Sequence, residues 1–167
     1  IAFEMAGLSH DTRVPEIGAT IGSALLVPHR SYLPVVRPLL SSGHIKGMAH
    51  ITGGGITDNL PRILPEGLHA EIHRASWGAP PIFTWLQRTG NVPREDMFRA
   101  FNMGVGLIVA CSAMDADPVM DALRTAGEPG VFPRLPDLMC DIDHRPGENE
   151  PDLMGDGDPF VVAVFGG

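Results

Sequence analysis

The run HITGGGITDN, from His50 to Asn59, decides how this chain is read. Before it, IKGMAHIT (residues 45–52) sets Ile45, Gly47, Ala49 and Ile51 on one face of a strand, the period-two pattern of a half-buried sheet. Gly53, Gly54 and Gly55 then turn the chain, since glycine reaches positive φ without a Cβ penalty. The following ITDNLPRIL reads as a helix start, with Thr57 or Asp58 as N-cap and Pro61 in the first turn, where its missing N–H is harmless. A strand, a glycine turn and a helix start aim unpaired N–H groups at one spot, where they cradle an oxyanion with the help of the helix dipole. Thr52, Gly53, Gly54, Gly55 and Asn59 are therefore candidate phosphate-binding residues, and Arg62, one turn further, adds a candidate charge-assisted contact. A side chain at Gly54 would take the space of an oxygen, and Asp58 is expected to turn away from the anion. No Gly-Lys-Ser/Thr follows and no G-x-G-x-x-G is present, so the run is neither a P-loop nor a dinucleotide fingerprint. The competing reading is a turn that needs its glycines for geometry alone.

Outward from this run the chain mixes strands and helices without strict alternation, which gives an α+β layered domain, a mixed β-sheet with packed helices. Residues 1–8 read as a strand. Residues 15–22 hold turn residues, and residues 21–27 form a short apolar run open to either helix or strand. Residues 31–40 read as a helix with Pro34 in its first turn and Pro38 as a kink, ended by Gly43. A short strand is expected at residues 68–72. A helix after Pro80 and Pro81 puts Ile82, Trp85 and Leu86 on one face and stops at Gly90. Residues 93–101 form another helix, 104–110 a buried strand, and Asp117 caps a helix that Gly127 ends. Three further residues join the candidate site. Asn102 and Gly104, between a helix and a strand, suit a hydrogen bond to an amide or ribose and a close backbone approach. His50, ending its strand beside the glycines, is the candidate proton acceptor, against the commoner structural role of a lone histidine.

Residues 128–159 are rich in proline, glycine and acidic side chains and poor in apolar ones, the composition of an irregular segment. The expected division is a domain over residues 1–127 and a divergent tail over 128–167, with a final strand at 160–165. The tail acids Asp137, Asp141, Asp143, Asp152, Asp156 and Asp158 lack the spacing of an EF-hand loop, so no metal site is read. A formal net charge of −8 argues against a nucleic-acid partner. Cys111 and Cys140 form no Cys-x-x-Cys pair and are expected as reduced thiols of a cytoplasmic protein. No apolar run is long enough for a membrane span. Ile1 opens directly into a strand-like run, so upstream sequence is expected.

Several blocks resemble one family. GMAHITGGGITDNLPRILPEGLHAEI (residues 47–72), PIFTWLQRTGNV (81–92) and FRAFNMGVGLIV (98–109) are similar to successive blocks of the phosphoribosylformylglycinamidine cyclo-ligases. FEMAGLS (3–9) and ALLVPHRSYLPVVRPLL (24–40) are similar to the start of that family's carboxy-terminal domain. His29-Arg30 stands where members often carry Thr-Arg, and after about residue 127 the similarity ends. The resemblance implies the fold of the carboxy-terminal domain of the aminoimidazole ribonucleotide synthetase superfamily. It implies the substrate-binding half of a ligase of purine biosynthesis, which uses ATP to close the imidazole ring of aminoimidazole ribonucleotide. ATP and Mg are expected mainly on an amino-terminal domain, the partners being that domain, the ribonucleotide substrate and a second subunit of a homodimer. This half alone is expected to be inactive. The alternatives are a related superfamily enzyme, such as formylglycinamidine ribonucleotide synthetase, selenophosphate synthetase or thiamine monophosphate kinase, and a non-catalytic binding or oligomerisation module.

Overall fold

The computed structural model describes residues 3, 6–65, 70, 72, 74, 77–126 and the backbone of 160–166. The expected strand at residues 68–72, the divergent segment up to residue 159, Gly127 and Cys140 lie wholly or largely outside them.

A short hairpin opens the described chain: β1 (Arg13–Val14) pairs antiparallel with β2 (Ala19–Thr20). The expected strand at residues 1–8 is not one where it is described. Phe3 is helical, Gly7 sits at φ 63°, and the Leu8 N–H returns to the Phe3 carbonyl at 2.8 Å, so the chain folds back on itself. The open question at residues 21–27 resolves to helix: α1 (Ile21–Leu25) is started by Thr20, whose hydroxyl accepts from the Ser23 N–H. Next comes α2 (Leu33–Ser42), with Pro34 in its first turn, Pro38 inside it and Gly43 closing it at φ 76°.

The main sheet has the order β3–β4–β5, with β3 (Ile45–His50), β4 (Val105–Ser112) and β5 (Phe160–Gly166), and both of its pairings are antiparallel. Thus the strand after the divergent segment returns to the sheet beside β4. Between β3 and β4 lie α3 (Gly55–Asn59), a 3₁₀ turn at Leu60–Ile63, α4 (Pro81–Thr89) and α5 (Arg94–Ala100). After β4, a 3₁₀ turn at Ala113–Asp115 leads into α6 (Ala116–Thr125).

The core explains why β4 reads as a continuous apolar run rather than an alternating one. Leu107, Val109 and Cys111 face Tyr32, Val35, Val36 and Leu39 of the α2 region and Ala116, Val119 and Leu123 of α6. Val105 and Ile108 pack instead with Ala49, Ile51, Ile56 and Leu60. The strand is covered on both faces, so polar side chains have no place on either. Each fully buried Leu, Ile or Val here contributes roughly 1.5–3 kcal/mol over its exposed state. The layered α+β architecture matches the expectation, while the pairings among the described strands are all antiparallel rather than mixed.

Two helix starts differ from those expected. The helix after the glycines begins at Gly55 with Gly54 as its N-cap at φ 96°, not at Thr57 or Asp58. Pro61 falls in the first turn of the separate 3₁₀ segment. The last helix begins after Asp115, and Asp117 sits within its first turn. In each case the polar residue expected as the cap lies inside the helix.

Candidate functional site

The end of β3, the end of α5 and the loop before α2 converge around an open cavity of about 290 Å³. His50 and Thr52 reach it from β3 and the residues just past it, and the Ile51 N–H holds that segment to the Gly106 carbonyl at 2.9 Å. Asn102 reaches it from the link between α5 and β4, and His29 from the loop between α1 and α2. Phe83 of α4 and Phe101, with ring centroids 5.5 Å apart, give it an aromatic wall.

Asn102 has a definite orientation. Its Oδ1 accepts the Gly104 N–H at 3.0 Å, which holds the turn where Met103 and Gly104 sit at φ 52° and 93°. With that oxygen engaged, Nδ2 is the donor that the amide has left, a group suited to a phosphate or ribose oxygen. His50 is also engaged: its Nε2 lies 2.9 Å from Nε2 of His29. Sequence reasoning missed His29 as a cavity residue. The signal was present only as a departure, a histidine where the resembling family often has threonine.

Of the residues singled out from sequence, His50, Thr52 and Asn102 share the cavity, while Gly53, Gly54, Gly55, Asn59, Arg62 and Gly104 do not line it. The glycines divide by role. Gly55 is buried at φ 62°, and a Cβ there would overlap the Phe98 carbonyl, so α3 and α5 meet only because this residue is glycine. A Cβ on Gly104 would overlap Pro80. Gly53 differs: it is exposed, has no positive φ and has open space where a Cβ would stand. Its glycine is not required by the domain's own packing.

Asp58 does not turn away. A Cβ built on Gly54 would stand 2.8 Å from the Asp58 Cβ and 3.0 Å from its Oδ2, so the carboxylate lies against the turn. No side-chain hydrogen bond caps α3. With Gly54 already the N-cap, the Asp58 N–H bonds the Gly54 carbonyl at 3.2 Å, and the side chain follows the helix back over the glycine. Asn59, the buried polar residue of the described chain, braces the turn from behind. Its Nδ2 donates to the carbonyls of Gly55 at 2.7 Å, Gly53 at 3.2 Å and Thr52 at 3.5 Å, and its Oδ1 accepts from Arg62 at 3.4 Å.

At the opposite end of the sheet, Ser112 and His44 bind the two oxygens of Asp115, each at 2.6 Å. The Ser112 hydroxyl, then His44, hold the Asp115 carboxyl below the usual carboxylate range. Because the acid sits between serine and histidine, this is not a nucleophile–base relay, in which the histidine must touch the hydroxyl. It is a helix-start lock, in which Ser112 also accepts the Asp115 N–H. Among the described residues no group of three or more His, Cys, Asp or Glu comes together to hold a metal ion.

The fold and cavity define a layered α+β domain with a polar-rimmed, aromatic-walled concavity at the end of its sheet, the usual form of a small-ligand site. The chain belongs to the family described as AIR synthase related protein, C-terminal domain, which matches residues 1–132. It is 50% identical over 114 residues to a phosphoribosylformylglycinamidine cyclo-ligase of Desulfitobacterium hafniense, covering 68% of this chain and 34% of that protein. A cyclo-ligase of Gloeobacter violaceus is 48% identical over 126 residues, covering 75% of this chain and 37% of the relative. One of Trichlorobacter lovleyi is 44% identical over 128 residues, covering 77% and 37%. The chain thus spans about a third of the length of the curated relatives it matches. Among the described residues no helix is long and apolar enough to cross a membrane.

Proposed function

We propose that the chain is the substrate-binding half of an ATP-dependent cyclo-ligase of purine biosynthesis that converts formylglycinamidine ribonucleotide to aminoimidazole ribonucleotide. The observation that carries this reading is the meeting of His50, Thr52 and Asn102 in one cavity, in a chain about half identical to proteins named for that reaction. The Phe83–Phe101 wall offers an aromatic ring face to the planar amidine. Asn102 Nδ2 and the Thr52 hydroxyl bind ribose or phosphate oxygens, and Gly53, beside Thr52 and open to solvent, lets phosphate approach the backbone. Gly54, Gly55 and Gly104 shape the backbone around that approach. Asn59, with Arg62 on its Oδ1, keeps the turn in register from behind.

ATP supplies the activation of the formyl oxygen, which leaves as phosphate once the internal amine has attacked the formyl carbon. His50 accepts the proton that the attacking amine releases. ATP and Mg belong, in this reading, to an amino-terminal domain that closes the cavity from the other side. No step is assigned to Mg on this chain, whose described residues bring together no ligand set for it. A cytoplasmic homodimer is the expected assembly.

The test is a chimera in which this chain replaces the corresponding carboxy-terminal third of the Desulfitobacterium hafniense relative. Release of ADP that depends on formylglycinamidine ribonucleotide is expected. A folded chimera that binds ATP yet shows no substrate-dependent release would refute the proposal.

A further inference from the structure

We infer that His29 is a positioning residue for His50, and that the two imidazoles work as a pair joined through one proton; this rests on the cavity being the substrate site proposed above. The geometry begins at β4. A Cβ on Gly106 would overlap the Tyr32 hydroxyl and stand 3.2 Å from Cε1 of His29, so this glycine makes the slot in which both rings rest. His29 meets Tyr32 edge-on, with centroids 5.7 Å apart and planes at 68°. Held there, it presents Nε2 to Nε2 of His50 at 2.9 Å, a full hydrogen-bond distance.

Two imidazole nitrogens facing each other bond only if one carries the proton and the other is bare. Counting protons then fixes the pair. In the neutral state the acceptor ring carries its proton on Nδ1, and the donor ring, having given its Nε2–H to the bridge, has a bare Nδ1. That Nδ1 is the single unprotonated nitrogen left to take a proton from a substrate. If His50 is the acceptor of the reaction's proton, it must be the donor of the bridge, and His29 must be the Nδ1–H tautomer. When His50 Nδ1 gains the proton, the Nε2–H bond to His29 becomes charge-assisted. A second added proton would leave no acceptor and break the bridge. His29 thereby orients His50 and spreads its charge without touching the reacting atoms.

The experiment has two arms. In the chain itself, labelled with ¹⁵N-histidine, magnetic resonance should find His29 as Nδ1–H, His50 as Nε2–H, and a coupling across the two Nε2 atoms. Both rings with the tautomer mixture of a free imidazole, or His50 as Nδ1–H, would overturn the inference. In the active chimera, His29→Phe keeps a ring against Tyr32 but cannot accept a hydrogen bond. It should lower kcat about tenfold, within the range of acid–base contributions, with KM unchanged. His29→Gln, whose amide oxygen accepts from His50, should recover most of the loss. His29 is exposed, so circular dichroism is expected to match the wild type for both variants. Unchanged kcat in His29→Phe would overturn the positioning role even if the tautomers are as stated. A chimera without any turnover would sink the proposed function instead, while the resonance arm still decides the pair.

Discussion

Asn59 offers the sharpest test of how the glycine turn is held. Its Nδ2 serves three carbonyls, of which the Gly55 contact at 2.7 Å is buried and the others are at 3.2 and 3.5 Å. Asn59→Ala removes one good hydrogen bond, one ordinary one and one marginal one. At roughly 0.5–1.5 kcal/mol net for each properly formed bond, plus the desolvation of carbonyls left short of a donor, the loss is about 2–3 kcal/mol. That is a large share of a stability of roughly 5–15 kcal/mol. Asn59→Asp is nearly isosteric but replaces the donor with a carboxylate facing three carbonyl oxygens. It should therefore cost more than alanine at neutral pH, even with Arg62 nearby, because that exposed guanidinium offsets no more than about 1 kcal/mol. Burial and the facing oxygens raise the introduced carboxyl's folded pKa above its unfolded value of about 3.9. Its neutral form is the compatible one, so stability is regained at low pH and lost as pH rises through the folded pKa. Urea unfolding followed by the fluorescence of Trp77 and Trp85 measures both variants at pH 4 and pH 7. An Asn59→Asp protein as stable at pH 7 as the parent would refute the bracing argument.

Other outcomes follow from the same structure. Gly55→Ala should destabilise the fold by about 2 kcal/mol or more, from the left-handed backbone and the overlap with the Phe98 carbonyl, whereas Gly53→Ala should leave urea unfolding unchanged within about 0.5 kcal/mol. Ser112→Ala, which removes the hydroxyl that caps the turn before α6, should cost about 1 kcal/mol in the same assay. Asp115, held below the usual carboxylate range, contributes stability above its unfolded pKa that is lost as pH falls through its lower folded value; Asp115→Asn should flatten the acid limb of a melting-temperature profile. Burial pushes the Cys111 thiol up to about 11, so at pH 8 it should resist a thiolate-directed reagent until the chain unfolds, as peptide mass analysis of the modified protein would report.

The layers were legible because burial leaves a mark on composition. β4 reads as a strand covered on both faces, and Trp85 and Met97 fall on the buried sides of the helices assigned to them. Glycine and proline punctuation set Gly43, Pro34 and Gly90 correctly, since their backbone restrictions act locally. The first residues misled for the opposite reason: apolar alternation cannot reveal that Gly7 takes a left-handed turn and sends Leu8 back to Phe3. At the site, the strand end carried His50 and Thr52 into view, but the meeting with His29 depends on a slot at Gly106, on another strand. At Asn59, a polar side chain beside glycines has the same sequence signature whether it faces a ligand or braces the turn. Only burial and its three carbonyl partners tell the two apart.

The cavity between His29, His50, Thr52 and Asn102 is proposed to receive the ribonucleotide. The decisive experiment is calorimetric titration of formylglycinamidine ribonucleotide into the active chimera, beside Asn102→Ala and Gly53→Ala. Loss of the Asn102 Nδ2 donor to a phosphate oxygen, worth roughly 1.5–3 kcal/mol, predicts an affinity at least about tenfold weaker, and a methyl at Gly53 a loss of similar size with stability intact. Wild-type affinity in both folded variants would contradict the account and move the substrate to another face of the domain.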